Sequence, residues 1–222
     1  MSGRKRLSEV VNVLVNLVRN IQLRRQLSSA CADPQLAFWR LIYGDLTDIA
    51  VLEWCKLFGL DDEDHQHLHW KSVSNPAEFR TDMLSRLGIC ESKWRSYWNE
   101  VERYRDKSVA HHDLRRSEIM NCPFDIALES AYFYYEFVVA ELRKLGIEQQ
   151  PNDLRECSLA FSDQCREVAS AAVRAAKSCR GIWIIRTRIS TRTMRQSWGS
   201  NGGKEPSHVS YLRVGQLLPW LG

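Results

Sequence analysis

Apolar side chains recur at alternating three- and four-residue spacings along most of this chain, the signature of helices with one buried stripe. Leu7, Val10, Val11, Leu14, Leu17, Val18 and Ile21 predict a first helix of about 20 residues, with Ser8 or the loop before it as cap. Asp33-Pro34 is an N-cap followed by proline at the first helical position. It opens a second helix to about Phe58, with Leu36, Trp39, Ile42, Leu46, Ile49 and Leu57 inward and Gly59 as its stop. A polar loop over residues 60–75 leads to a second start signal, Ser74-Asn75-Pro76, and a short helix ending at Gly88. A fourth helix begins near Glu91 with the stripe Trp94, Trp98, Val101, Arg105, Ser108. After the break at Asn121-Cys122-Pro123, a fifth helix carries Phe124, Ala127, Ala131, Tyr134, Tyr135, Val138, Leu142 and Leu145 inward and closes at Gly146. Pro151-Asn152-Asp153 opens an alanine-rich sixth helix to about Cys179.

No segment before residue 180 alternates with period two, and no internal repeat is visible. The expected fold class is all-α, an antiparallel up-and-down bundle over residues 1–179. The character then changes. Gly181-Ile182-Trp183-Ile184-Ile185 has the composition of a strand, and six of the chain's 11 glycines follow Cys179. Residues 180–222 are therefore expected to be a weakly structured basic tail, with arginines and tryptophans able to neutralise and stack on single-stranded nucleic acid.

Charge sharpens that division. From Ser178 onward, seven Lys and Arg face Glu205 alone, a net +6; residues 1–177 hold the other 24 cations against 26 carboxylates, a net −2. The bulk charge of +4 thus says nothing about the bundle, and any nucleic-acid argument there must rest on local residues. With 222 residues, 44% hydrophobic and 26% charged, the composition excludes wholesale disorder and repetitive polymers. No stretch approaches the roughly 18 apolar residues of a membrane span. Glu9, Asn12 and Asn16 interrupt the apolar residues behind the basic start, so a folded helix and a cytoplasmic protein are expected rather than a signal peptide. The seven cysteines form no C-x-x-C pair, which predicts reduced thiols rather than a zinc site or disulfide frame. Walker-type glycine loops, G-x-G-x-x-G, H-E-x-x-H and the nucleophile elbow are all missing, against NTPase, dehydrogenase, zincin and α/β-hydrolase chemistry.

The most informative stretch is Arg105-Asp106-Lys107-Ser108-Val109-Ala110-His111-His112-Asp113. Arg105 falls on an otherwise apolar stripe, and arginine is rarely buried without a partner. Two histidines follow. Arginine and histidine together suffice for metal-free RNA cleavage: imidazole takes the ribose 2′-OH proton near neutral pH, and guanidinium holds the phosphate as charge builds on its oxygens. At about 100° per residue, an unbroken helix brings His112 to within about 20° of Arg105 and leaves His111 about 120° away. If the helix ends or tightens near Ala110, His111 can swing back.

This run resembles the signature of the HEPN superfamily, an arginine, often a polar neighbour, then a histidine after four to six residues. The longer form, Arg-Asp-Lys-x-x-Ala-His-x-Asp, is similar to the AbiU-type abortive-infection branch. The motif covers nine residues; the helix order around it extends the likeness over residues 7–146. The resemblance implies an antiparallel bundle that dimerises through the motif helix, so that two motifs build one RNase site without metal or cofactor. It implies Arg105 as the phosphate-binding residue, Asp106 as the neighbour that orients it, and His111 as the family histidine, while the helix-face argument favours His112. It further implies an endoribonuclease of bacterial phage defence or a toxin–antitoxin system, with an antitoxin protein as another partner. The alternatives are a non-catalytic RNA- or protein-binding module, in which Arg105, Asp106, His111 and Asp113 form a salt-bridged helix end or seam, and a degenerate or truncated family member.

Two further clusters stand out. His65, His67 and His69 beside Asp61, Asp62 and Asp64 have metal-ligating side chains, but in what reads as a loop, where a solvated linker is the plainer expectation. Tyr132, Phe133, Tyr134, Tyr135 and Phe137 cover more than one face of the fifth helix, which predicts either a dimer face or burial against the sixth.

Overall fold

The computed structural model describes residues 3–30, 37–59, 66–73, 75–110, 124–149 and 151–198, with backbone alone at 37, 40, 108–110, 177 and 179–198. Among these residues every regular element is helical, so the fold is all-α. The helices are α1 (Gly3–Ser29), α2 (Ala37–Phe58), α3 (Pro76–Leu87), α4 (Glu91–Tyr104), α5 (Asp125–Lys144) and α6 (Leu154–Trp198). A 3-10 turn occupies Trp70–Ser72, and a π turn, Arg105–Ala110, continues α4. The chain divides into two compact units, residues 1–175 and 176–222; the core and the site described below lie in the first. No helix among the described residues is long and apolar enough to cross a membrane.

α1 is the central element. All seven residues of its predicted stripe are buried, and it packs on α2 and α5. It starts at Gly3, so Ser8 sits inside the helix rather than capping it. α3 is built as its local signals dictate. The Asn75 side chain accepts from the Glu78 N–H, Pro76 takes the first turn, and Gly88 closes the helix in the left-handed region at φ 62°. In α2, Trp39, Leu46 and Leu57 point inward as expected, but Ile49 is 41% exposed, and Ala50, Val51, Trp54 and Phe58 take the core instead. Leu145, also expected inward, is 57% exposed at the end of α5.

The aromatic run on α5 is covered from within the same unit. Phe79 of α3 meets the rings of Phe133, Tyr134 and Phe137 at 5.1–5.3 Å. Tyr134 donates to the Leu68 carbonyl, Tyr135 to the Pro151 carbonyl, and Tyr132 shares a hydrogen bond with Ser158 of α6. α3, α6 and the adjoining loops bury Tyr132, Tyr134 and Tyr135 and leave Phe133 and Phe137 half-buried, so three of the five rings are spent within the unit. Burial raises the Tyr135 phenol to about 12.

α6 docks through polar pairs at one-turn spacing. Gln22 donates to Ser158 at 2.8 Å and Gln26 to Ser162 at 2.7 Å. Arg155 bonds both carboxylate oxygens of Glu129 and stacks over Tyr132 at 4.3 Å. The helix also runs beyond its expected end near Cys179 to Trp198, through the stretch read as a strand. Extending a formed helix costs far less than nucleating one, and Gly181 is the single strong helix-disfavouring residue before Trp198.

The Arg155 guanidinium holds the Glu129 carboxyl below its ordinary range. A depressed carboxyl adds stability above the unfolded-state pKa and loses it as pH falls through the folded one. Glu129→Gln is therefore expected to lower the stability at pH 6 by less than about 1 kcal/mol for so exposed a pair, seen as a slightly lower melting temperature. The difference should fade as pH falls through the depressed pKa of Glu129, where the carboxyl itself takes up a proton. Melting curves of both proteins across that range check this; a gap unchanged by acid would contradict it.

Candidate functional site

The end of α2 prepares the site. Its last carbonyls need partners, and two side chains supply them: the Trp98 indole donates to the Phe58 carbonyl at 2.8 Å, and His69 Nε2 bonds the Gly59 carbonyl at 3.1 Å. Gly59 ends the helix by close approach rather than by a left-handed twist; among the described glycines only Gly88 and Gly146 have positive φ. A Cβ at Gly59 would lie 2.7 Å from Glu102 Oε1 and 2.5 Å from the Cys55 carbonyl oxygen.

α4 lies against this end of α2. Trp94, Tyr97, Val101 and Tyr104 are buried along its inner face, and Tyr104 donates to Asp48 of α2 at 2.7 Å. Glu102 is buried beside them, its side chain 8% exposed, with its carboxylate close to the Cys55 thiol. Burial first, then the Glu102 charge, pushes that thiol upward, while Arg105 opposes the rise.

Arg105 follows one turn after Glu102 and begins the π turn. Its Nη2 forms an ion pair with Glu102 and a 2.8 Å bond to Asp106 Oδ1, and Nε reaches the same oxygen at 3.0 Å. Its side chain is 22% exposed. Burial works against its charge, but Asp106 and Glu102 outweigh this and hold the guanidinium pKa above its ordinary value. The buried Glu102 and the exposed Asp106 thus meet at Nη2, and Asp106 also takes Nε.

The π turn removes a premise of the sequence argument. Hydrogen bonds from i to i+5 place an extra residue in each turn, so the angular step of an α-helix does not extend from Arg105 to the histidines. The geometric preference for His112 lapses with it. His111, His112 and Asp113 lie outside the described residues, so Arg105 and Asp106 are the two predicted site residues that the structure brings together.

No protein-family model, curated protein or solved structure matches this chain. The site therefore stands on its own geometry.

Glu102 and Cys55 escaped the sequence reading. The Glu102–Arg105 spacing of i,i+3 was visible, and such pairs commonly meet on a helix. That Glu102 is buried depends on α2 lying over it, which no local pattern reveals. Of the loop histidines, His67 pairs with Glu9 of α1 at 3.2 Å, whereas His69 is buried and bonded to Gly59. They diverge, and no metal-ligating group is found among the described residues. His65, Asp61, Asp62 and Asp64 lie outside them.

Across residues 100–107, Arg103, Arg105 and Lys107 balance Glu100, Glu102 and Asp106. Attraction for a phosphate here would come from the directed donors of Arg105 rather than a surplus of positive charge.

Proposed function

We propose that this chain is a HEPN-like, metal-independent endoribonuclease of bacterial phage defence or a toxin–antitoxin system. The observation that carries the reading is Arg105: a partly exposed guanidinium, anchored by a buried carboxylate, opens the turn that leads to His111 and His112. Pre-positioning of this kind is what an arginine needs to stabilise charge as it develops on a phosphate. In the proposed step the ribose 2′-oxygen attacks the adjacent phosphorus and a histidine accepts its proton. The P–O5′ bond breaks, a second acid protonates the leaving oxygen, and the products are a 2′,3′-cyclic phosphate and a 5′-hydroxyl. The second acid would come from the same motif of another copy, so homodimerisation belongs to this proposal, as does an antitoxin partner.

One observation favours a second reading, a non-catalytic RNA- or protein-binding module. Both carboxylates on Arg105 come from its own helix and turn, the arrangement expected of a structural clamp.

RNA cleavage in EDTA separates the two, with wild type compared against Arg105→Lys, His111→Ala and His112→Ala. Lysine keeps a cation beside Glu102 and loses the guanidinium fork. Arg105→Lys and one histidine variant are expected to cleave at least about 100-fold more slowly, the scale of losing one transition-state donor. Equal cleavage by all four proteins, or none by wild type, would leave the binding module.

A further inference from the structure

A second candidate site lies on the other side of Gly59. A cleft of about 550 Å³ opens between the His69–Lys71 segment, α3 and α4, a volume within the range of small-molecule sites. Among the described residues, Lys71, Arg80 and Arg95 line it against a single carboxylate, Glu91, so this part of its wall carries a net positive charge. It also holds indoles: Trp94 is buried, while Trp70 and Trp98 are partly exposed.

These residues divide into a fixed wall and a rim. Arg80 is held by both oxygens of Glu91, at 2.8 and 3.3 Å, and lies 4.6 Å from the Trp94 ring centre and 5.6 Å from that of Trp70. The same contact holds the Glu91 carboxyl below its ordinary range. Packing accounts for Arg80, Glu91 and Trp94. Lys71 and Arg95 are exposed at the rim, and Trp98 keeps ring surface toward solvent although its N–H is committed to Phe58.

We propose that this cleft binds a nucleotide unit, with its phosphate on Lys71 and Arg95 and its base against the indole of Trp98. Cations at the rim select an anion, and an accessible indole beside them selects one that carries a flat ring. The ring and phosphate have two sources, a free mononucleotide or one residue of an RNA strand. α4 keeps helical hydrogen bonding up to Arg105, whose N–H bonds Val101. Trp98 and Arg105, seven residues apart, therefore share a helix face with about 10 Å of rise between them. A strand lying along α4 would meet both, and that strand form rests on the ribonuclease reading; the free nucleotide does not.

The test titrates the full chain with inorganic phosphate, AMP, UMP and a 2′-O-methyl pentanucleotide that resists 2′-OH attack, following indole N–H signals by NMR. The proteins are wild type, Lys71→Ala/Arg95→Ala and Arg105→Lys; the first variant changes exposed side chains, and thermal melts check that it folds. The nucleotides are expected to bind at least about tenfold more tightly than phosphate, to shift the Trp98 signal, and to bind about tenfold more weakly to the double variant. Arg105→Lys should leave mononucleotide binding unchanged. Binding of AMP or UMP identifies a free ligand, and binding of the pentanucleotide alone identifies a strand. No indole shift at millimolar ligand, or equal affinity in the double variant, overturns the site. Pentanucleotide binding that depends on Arg105 alone overturns the cleft and leaves the ribonuclease standing. Cleft binding without RNA cleavage in EDTA by wild type does the reverse.

Discussion

Replacing Arg105 by alanine is expected to lower the unfolding free energy by about 3 kcal/mol at pH 7, because it strips the counter-charge from a buried carboxylate. Glu102 makes the difference. Its side chain is 8% exposed and sits against Cys55 and Gly59, with little room for water to replace the guanidinium. Without Arg105 the Glu102 pKa rises above its unfolded-state value. A carboxyl with a raised folded-state pKa loses stability as pH rises through that range, so the deficit should shrink from pH 7 toward pH 5. The second variant, Glu102→Gln/Arg105→Ala, removes the charge itself and should recover more than half of the loss. Denaturant unfolding at both pH values measures each effect. A single variant as stable as wild type at pH 7 would show that Glu102 does not depend on Arg105. This pH-dependent loss concerns stability alone, so it separates the structural part of Arg105 from any part in cleavage.

The other large effect is expected at Trp54. Its ring lies 5.5–5.7 Å from those of Phe58, Trp94 and Tyr97, and its indole donates to Ser130 of α5. It joins α2, α4 and α5 at the point from which Glu102 and Arg105 are positioned. Trp54→Ala should cost about 3–5 kcal/mol through lost contact and the cavity left behind. For a unit of this size that is a fall in melting temperature of about 6–20 °C. Trp54→Phe keeps most of the ring contact and should lose well under half as much. Calorimetry on the three proteins checks the order; alanine and phenylalanine variants with equal midpoints would contradict it.

The parts of the fold legible in the sequence are those whose causes are local. The α1 stripe repeats with the helical period from Leu7 to Ile21, and any partner it found had to bury it. Asn75, Pro76 and Gly88 bound α3 because capping and left-handed backbone geometry are decided within one turn of chain. The motif around Arg105 was visible as residue types, since an arginine on an apolar stripe is anomalous whatever covers it. Less legible were features set by a neighbour. Ile49 and Ala50 differ by one helical step, and only the course of α1 and α4 past α2 puts the alanine inside and the isoleucine out.

By itself, the sequence determined the all-α class, most helix positions and the presence of an arginine that needed a partner. These follow from periodicity, capping and the cost of burying charge. The tertiary structure alone decided that the partner is a buried Glu102, that Gly59 leaves space for its carboxylate, and that the α5 aromatics turn inward onto α3 and α6. It also decided that the helix winds differently beyond Arg105, so a fixed angular step no longer relates that residue to its histidines. The physical reason is common to all of these: burial depends on which distant segment covers a residue, and a pattern along one helix records which face is apolar, not what lies against it.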